Sequence, residues 1–430
     1  MQIIGERGLV FGFFSVTLQN IMAWFRRHIF MMAFLLTHFV VSAQDGVAAD
    51  TQQARVPSLD SVQVSILTCT RGADLYAKFG HTALRVQDFT LQKDVVFNYG
   101  CFNYNSDNFV WKFLLGQTDY LLDGEAYDYF MYRYRAMGNG VTEQVLNLSE
   151  VEANRLLALL LINLKPENQE YRYNWLYDNC TERARDMVEK AVDGKVVYEK
   201  AVEGTTVRQM LRACLKTSPW ASFGIDMILG EEIDHPVDKR VQMFLPSFFM
   251  GEADEAIIEG TDGTKKQYVA EKHELMQATY VDKVASTITP MVAFVLLLSI
   301  VVGISVYDWR RKKVSLWLDV TLAVLQGLAG VLVAFLYFFS EHSGVDSNWL
   351  VLIFNPLPLL YAVWLVMCQR RGCRNRLAVV NMAVLAAFLL TMWLCPQSFD
   401  AAMYVVVLAL LVRATIYAAL TNKSKRNNNQ

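Results

Sequence analysis

The sequence predicts an α+β domain followed by an all-α domain of five transmembrane helices. Hydrophobic residues make up 53% of the 430-residue chain, and they are concentrated towards its two ends. That distribution is typical of a membrane protein with one large water-exposed part. In the middle of the chain, short alternating segments precede helical ones, an order that favours a small antiparallel sheet packed on helices.

Residues 22–43 have the pattern of a secretory signal peptide. The basic pair Arg26-Arg27 precedes an apolar run, and small residues ending at Ala43 follow it. Because the apolar run is short for a membrane anchor, we expect cleavage after Ala43 rather than an uncleaved anchor. Residues 1–21 are interpreted as a mis-assigned start or an extension.

Five apolar segments in the last third of the chain approach the length of a transmembrane helix. They are 286–306, 316–339, 349–368, 377–395 and 401–420. The segments that connect them alternate between basic and neutral or acidic ones. By the positive-inside rule, the first span runs inward and the C-terminus is cytoplasmic. The water-exposed domain then lies outside the membrane, on the side that the signal peptide also predicts.

These patterns divide the mature chain into four parts. We expect the exposed catalytic domain at 44–260, a polar linker at 261–285, the membrane domain at 286–420 and a basic tail at 421–430. The net charge is −2, and no basic tract occurs in the central part. We therefore exclude a nucleic-acid partner.

Two neighbouring strands are predicted to bring His81 and Asn98 together. Residues 80–86 read as a strand that carries a histidine near its start, and residues 95–100 read as the next strand. The polar turn between them makes the two strands antiparallel neighbours, so Asn98 can lie beside His81. A further strand at 61–68 enters the same sheet.

Helices are predicted on both sides of the segment that leads to Cys180. Ser149 and Glu152 form a capping box for one helix, and further helices are expected at 205–216 and 222–229. Aromatic residues alternate over 171–177, which indicates an extended segment that delivers the chain to Cys180.

Cys180 is predicted to be the first residue of a helix. Asn179 is a favourable N-cap, and Glu182 follows three positions later. Apolar residues then recur at offsets of three and four until Asp193-Gly194 ends the helix. The N–H groups and dipole at a helix start favour a thiolate, which indicates a nucleophile, although a small core residue is the alternative. We expect Asp178 and Asn179 to support the cap and an oxyanion site at this helix start.

A nucleophilic cysteine needs a base close to the sulfur and a third polar group that holds the base. Cys180, His81 and Asn98 fit these three roles by residue type. Their order in the chain is the reverse of papain's, so a papain-like site would be circularly permuted. Two alternatives stay open: His235 as the base, and Cys69 as the nucleophile.

The loop between the second and third spans carries His342 and Asn348. Aromatic residues on both sides of this loop indicate the lipid interface. The loop is either a plain interfacial turn or a place where these two side chains hydrogen-bond the phosphate or glycerol of a lipid. We retain both residues as candidate substrate contacts.

Several motifs of this chain occur in an order that resembles one family. They are Phe79-Gly80-His81-Thr82-Ala83-Leu84-Arg85, Asn98-Tyr99-Gly100, Asp178-Asn179-Cys180, Arg185-Asp186, Gln242-Met243-Phe244-Leu245-Pro246, Ser340-Glu341-His342-Ser343 and Asn348-Trp349. The order resembles that of Lnb, a family of Gram-negative membrane-bound lipoprotein N-acyltransferases. It is also similar to the wider permuted papain-like group that includes lecithin retinol acyltransferase. The resemblance covers most of residues 60–360, departs at His235, and adds Arg85 and Tyr99 as candidate substrate contacts.

The resemblance implies a permuted papain-like domain in the periplasm of a multi-pass protein of the bacterial inner membrane. It also implies the reaction. Cys180 takes a fatty acyl group from a phospholipid as a thioester and passes it to the N-terminal amine of a diacylglyceryl lipoprotein. The alternatives are a membrane-tethered cysteine peptidase or amidase acting on envelope peptides, and a non-enzymatic envelope assembly module.

No cofactor and no metal are expected. Cys368 and Cys373 flank a predicted cytoplasmic turn, but two ligands do not make a zinc site. Cys69, Cys101 and Cys214 would lie in an oxidising compartment, where a bridge between Cys69 and Cys101 is an open alternative.

Overall fold

The computed structural model describes residues 62–102, 108–199, 202–280, 288–371 and 376–426. The predicted signal peptide and the segment before it lie outside these residues.

A seven-stranded antiparallel sheet forms the centre of the exposed domain. Its strands are β1 (Val62–Cys69), β2 (His81–Asp88), β3 (Lys93–Cys101), β4 (Asp119–Ala126), β5 (Val141–Leu146), β6 (Glu170–Arg172) and β10 (Val269–Met276). Their spatial order is β10-β5-β1-β2-β3-β4-β6. The sequence predicts the first three strands but not β4 and β5. The sheet is consequently larger than the small one expected.

Three shorter strands form a second sheet, and the last of them lies within residues 261–285. The linker predicted there is therefore wrong over its first half, which is part of the folded domain. The three strands are β7 (Gly194–Val197), β8 (Ile257–Gly260) and β9 (Lys265–Gln267). Just after them, β10 pairs with β5 as an edge strand of the main sheet. Edge strands carry charged, exposed side chains, and this gives the segment the composition of a linker.

Nine helices accompany the main sheet in the described part of the exposed domain, and some of them pack on it. They are α1 (Phe109–Leu115), α2 (Tyr127–Met137), α3 (Glu150–Asn163), α4 (Pro166–Gln169), α5 (Cys180–Ala191), α6 (Val207–Cys214), α7 (Pro219–Ile228), α8 (Lys239–Gln242) and α9 (Pro246–Glu255). Two 3-10 turns, Leu75–Phe79 and Glu231–Asp234, accompany them.

The main core lies between the sheet and helices α3 and α5. α3 begins with the predicted capping box of Ser149 and Glu152. Leu156 of α3 and Val188 of α5 are fully buried against residues such as Ile66 of β1. Each such side chain contributes about 1.5–3 kcal/mol of burial free energy, so this interface holds α5 firmly on the sheet.

Five helices within the described residues are long and apolar enough to cross a membrane, as predicted. They are α10 (Pro290–Arg311), α11 (Leu316–Phe339), α12 (Leu357–Arg371), α13 (Arg376–Thr391) and α14 (Ala401–Arg426), with 3-10 turns Trp349–Leu352 and Met392–Leu394 extending the third and fourth spans. Arg413 of α14 pairs with Asp319 of α11 and Asp308 of α10, at 2.6 and 2.8 Å. Because buried charges in a membrane need such partners, this cluster joins three spans.

The exposed domain is docked on loops at one end of the spans. Residues 340–348, which we call the docking loop, follow α11. Asn174 Nδ2 donates to Ser343 Oγ in this loop at 2.9 Å. Arg212 Nη1 donates to Ser398 Oγ, in the loop before α14, at 3.1 Å. Both loops that lack basic residues therefore lie on the side of the exposed domain, the arrangement that the predicted topology requires.

The first prediction concerns this topology. Asp346 is exposed in the docking loop, so a cysteine at this position is expected to react with a membrane-impermeant maleimide applied from the periplasmic side. A cysteine at Lys312, between α10 and α11, is the matched control and is expected to react only after the inner membrane is opened. The unsubstituted protein is labelled in parallel, because its own cysteines give the background signal. Labelling of the Asp346→Cys protein from the cytoplasmic side alone would contradict the five-span arrangement.

Candidate active site

Cys180 is the first residue of α5, and Asn179 fixes that helix start. Asn179 Oδ1 accepts hydrogen bonds from the N–H groups of Thr181 (2.8 Å) and Glu182 (3.2 Å). Its Nδ2 donates to the carbonyl of Phe244 at 3.0 Å. The side chain of Asn179 is thus engaged as a cap that also ties α5 to a distant segment, and losing such a cap costs about 1 kcal/mol.

The Asn179 cap reduces the number of N–H groups at this helix start that can serve as oxyanion donors. Asn179 accepts hydrogen bonds from the N–H groups of Thr181 and Glu182. Of the first three N–H groups of α5, the cap therefore leaves only that of Cys180 unengaged. Asp178, the other expected support residue, forms an ion pair with Arg183 at 2.6 Å. That pair braces the turn before the cysteine.

Gly80 gives His81 a fixed position at the start of β2. Gly80 has φ +82°, and a Cβ there would lie 2.7 Å from the carbonyl oxygen of Cys69. Only glycine tolerates both conditions without strain. The close approach of β1 therefore sets where β2 begins and where the His81 ring lies.

The structure brings Cys180, His81 and Asn98 together, although they arise from α5, β2 and β3. His81 Nε2 lies 3.1 Å from Asn98 Oδ1. The His81 ring and the N–H of Thr82 both lower the pKa of the Cys180 thiol, so both lie close to its sulfur. Because Nε2 faces Asn98, Nδ1 is the ring nitrogen left for the sulfur. Asn98 is buried, whereas Cys180 and His81 are partly accessible, as a site that admits a substrate requires.

The electrostatics of the pair favour a thiolate next to an imidazolium. Burial raises the pKa of Cys180, but the charge of His81 and the hydrogen bonds outweigh it, and the Cys180 pKa falls below its ordinary value. Burial likewise lowers the pKa of His81, and the charge of Cys180 with its hydrogen bonds outweighs this and raises the His81 pKa. The two shifts have opposite signs because each ion stabilises the other.

Three further residues surround the pair, and sequence reasoning missed all of them. Asn98 Nδ2 donates to Glu125 Oε1 at 2.9 Å, and Glu125 is in turn paired with Arg133 at 2.5 Å. The Tyr134 ring stacks on His81, with centroids 6.4 Å apart. These residues belong to β4 and α2, where no motif or spacing in the sequence marked a strand or helix.

The two alternatives for nucleophile and base are disfavoured by their surroundings. Cys69 is buried, and burial raises its pKa far above the ordinary value, so it stays a thiol. Burial raises the pKa of Cys101 to about 12. Both are free thiols, so the bridge considered between them is not formed. His235 is exposed at the end of a 3-10 turn, whereas His81 lies close enough to Cys180 for the charge of the thiolate to raise the His81 pKa.

Arg85 and Tyr99 have structural partners rather than a position open to substrate. Arg85 forms ion pairs with Asp94 (2.5 Å) and Glu143 (2.9 Å) and is buried. Tyr99 is also buried, and its hydroxyl donates to Asn163 Oδ1 at 2.6 Å. We therefore correct their expected role from substrate contact to support of β2 and β3.

The docking loop holds the two other candidates, and the structure uses both to join the domains. Asn348 is 1% exposed; its Nδ2 donates to the carbonyl of Met227, and its Oδ1 accepts from Gln397. The His342 Nε2 lies 2.7 Å from the carbonyl oxygen of Phe113 in α1. The expectation that Asn348 contacts lipid is wrong because its amide is buried and bonded. His342 is partly exposed and also positions α1, so its contact with lipid stays a prediction.

The second prediction concerns Asn98, whose amide orients the His81 ring. Asn98→Ala removes a hydrogen bond that raises the His81 pKa, so the imidazolium and the thiolate are both weakened. We expect alkylation of Cys180 by iodoacetamide at neutral pH to slow about tenfold, the effect of one hydrogen bond of roughly 1–1.5 kcal/mol. Asn154→Ala, an exposed amide on α3, is the matched control. Equal rates for the two variants would mean that Asn98 does not hold the base.

These features together define a class of protein: a multi-pass membrane protein whose exposed domain holds a Cys–His–Asn site against the loops of its spans. Residues 49–213 match the model of the Lnb N-terminal periplasmic domain, and residues 282–425 match that of the Lnb transmembrane domain. The chain belongs to the Lnb family. Its exposed domain is accordingly periplasmic, in a protein of the inner membrane. No curated protein and no solved structure matches it.

Proposed function

We propose that this protein is a lipoprotein N-acyltransferase. A membrane phospholipid donates a fatty acyl group, Cys180 carries it as a thioester, and the N-terminal amine of a diacylglyceryl lipoprotein receives it. The single observation that carries this proposal is the Cys180–His81 pair, oriented by Asn98, in a domain docked on the outer loops of five membrane spans. Both substrates are lipids of the membrane that the spans cross.

In the first half-reaction, the Cys180 thiolate attacks the carbonyl carbon of a phospholipid ester. The negative charge that develops on the carbonyl oxygen is stabilised by a backbone N–H at the helix start, for which that of Cys180 is the candidate. The tetrahedral adduct collapses and breaks the bond to the glycerol oxygen. His81 gives its proton to that oxygen, so a lysophospholipid leaves and the acyl group stays on sulfur.

In the second half-reaction, the neutral amine of the lipoprotein attacks the thioester carbonyl. His81, now neutral, accepts the proton that the amine loses as the amide bond forms. The carbon–sulfur bond breaks and the Cys180 thiolate returns. The cycle leaves Cys180 and His81 in their starting ionic states and needs no cofactor.

The position of the site supports lipid substrates over soluble ones. The turn that precedes Cys180 is tied to the docking loop: Asn174 bonds Ser343, and the Trp175 indole donates to the Ser343 carbonyl at 3.3 Å. Cys180 thus follows, by only a few residues in the chain, a turn that contacts the loop between two spans. A tether alone would not require the catalytic turn itself to rest on the membrane domain.

The principal rival is a membrane-tethered cysteine peptidase or amidase acting on envelope peptides, because the same three residues would serve it. Reconstitution separates the two. Purified protein in vesicles that contain phospholipid is given a diacylated lipopeptide with a free N-terminal amine, or the same lipopeptide with that amine acetylated. We expect acyl transfer to the free amine only, with one lysophospholipid released per amide formed. Cleavage of either peptide without acyl transfer would support the rival.

A further inference from the structure

Helix α1 is an apolar segment of the periplasmic domain that the domain itself does not bury. Its sequence is Phe-Val-Trp-Lys-Phe-Leu-Leu, and none of these residues is buried. Val110 is 71% exposed and Trp111 is 56% exposed. Exposed apolar residues in a continuous helix mark a surface that meets another apolar phase or partner.

α1 is held against the membrane domain at a defined height. The rings of Trp111 and Phe335, a residue of α11, lie 5.1 Å apart. The backbone of α1 is also fixed to the docking loop, since the Leu115 carbonyl accepts from the N–H of Glu341 at 2.8 Å. Gly116 ends α1 with φ +70°, and a Cβ there would lie 2.7 Å from the N of His342. The contact is therefore close and permits little displacement.

This height is below the outer surface of the membrane. Phe338 and Phe339 end α11 and are 67% and 65% exposed, which is typical of an aromatic belt at the lipid–water interface. Phe335 lies one helical turn deeper, or about 6 Å at 1.5 Å per residue. Since Trp111 packs on Phe335, the exposed side of α1 faces the hydrocarbon of the outer leaflet rather than water.

A row of aromatic rings leads from α1 towards Cys180. Phe109 stacks on Phe102 at 5.6 Å, Phe102 lies 4.9 Å from Tyr120, and Tyr120 stacks on Tyr173 at 4.1 Å. Burial, and after it the charge of Cys180, raise the pKa of Tyr173 well above its ordinary value, so the far end of the row is close to the sulfur.

The row reaches Cys180 over the backbone of β3. A Cβ on Gly100 would lie 3.6 Å from the Cβ of Cys180, and Gly100 is two residues from Phe102. An acyl chain that follows these rings would thus meet the sulfur along the edge of the main core, to which Tyr120 belongs and against which Phe102 and Tyr173 pack.

We propose that α1 inserts into the outer leaflet and that its aromatic row is the path along which a phospholipid acyl chain leaves the bilayer for Cys180. Insertion of α1 is independent of the chemistry, whereas the acyl path rests on the proposed function. The occupant is lipid rather than a protein partner because the exposed face of α1 continues the lipid-facing surface of α11. Lys112, exposed on the same helix, is suited to the phosphate level of that leaflet.

The first arm of the test measures insertion alone. In a Cys180→Ala background, a cysteine at Val110 carries an environment-sensitive fluorophore, and vesicles contain phospholipids spin-labelled near the carbonyl end of the acyl chain. We expect strong quenching at position 110 and none at Leu91, which is 63% exposed in the turn between β2 and β3. Fluorescence at position 110 that the lipid leaves unquenched, as at position 91, would overturn insertion and favour a protein partner or a second copy on this face.

The second arm measures the acyl path. Trp111→Glu and Trp111→Ala are expected to slow formation of the thioester from bilayer phospholipid, the first by about tenfold because a carboxylate is costly at this depth. Alkylation of Cys180 by iodoacetamide should keep its rate in both variants, which shows that the site is intact. Leu91→Glu is the matched control. Unchanged thioester formation by Trp111→Glu would overturn the path, while a wild-type protein that forms no thioester would contradict the proposed function and leave the quenching result to decide insertion.

Discussion

Replacing Cys180 with alanine is expected to abolish acyl transfer while the protein still accumulates and folds. The change removes the sulfur but keeps the Asn179 cap and the apolar face of α5, both of which hold the helix without the thiol. Loss of a covalent nucleophile costs many orders of magnitude, so we expect turnover to fall at least about 10⁴-fold. Thermal unfolding in detergent should change by no more than a few degrees.

Cys69→Ala is the matched control for this variant. Cys69 is a buried thiol at the end of β1, where it pairs with His81 of β2. Its replacement therefore tests packing close to the site without removing the nucleophile. We expect transfer activity within about threefold of wild type. Loss of activity in Cys69→Ala together with retention in Cys180→Ala would reverse the assignment. Full activity in both would mean that neither thiol is the nucleophile, and no transfer by the wild-type protein would favour a non-enzymatic module.

Replacing His81 with alanine is expected to move the reactivity of Cys180 to higher pH. With His81 present, the Cys180 pKa is below its ordinary value of 9.0. Without it, burial dominates and raises the Cys180 pKa, so the thiolate fraction at pH 7 falls tenfold for each pH unit of the shift. The pH at which alkylation is half-maximal should therefore rise, and acyl transfer should fall by at least about 10²-fold because the base is lost.

His235→Ala tests the rejected base in the same assays. His235 is exposed, so its alanine variant is expected to keep both the pH profile and the transfer rate. A profile shifted by His235→Ala and unchanged by His81→Ala would assign the base to His235.

Local patterns in the sequence predicted the parts of the site that local structure determines. The Asn179 cap, the start of α5 at Cys180 and the β2–β3 hairpin that places Asn98 beside His81 all follow from residues a few positions apart. Each depends on capping or hairpin geometry, which the sequence carries within one or two turns of chain.

The parts that were missed depend on tertiary contacts. Glu125 and Arg133 reach Asn98 through β4 and α2, a region without clear periodicity. The place of Asn348 in the sequence predicts a contact with lipid, yet its burial follows from docking of the two domains. The edge strand β10 resembled a linker because one side of an edge strand is polar. In each case the deciding partner lies far away in the chain.

Trapping of the acyl-enzyme tests the central claim most directly. The full-length protein is incubated in vesicles of a phospholipid with defined acyl chains and no amine acceptor, and its intact mass is then measured. We predict one added acyl group that maps to Cys180, is released by neutral hydroxylamine, disappears in Cys180→Ala and is consumed when a diacylated lipopeptide is added. An unmodified Cys180 in a protein that still transfers acyl groups to the lipopeptide would contradict the thioester mechanism.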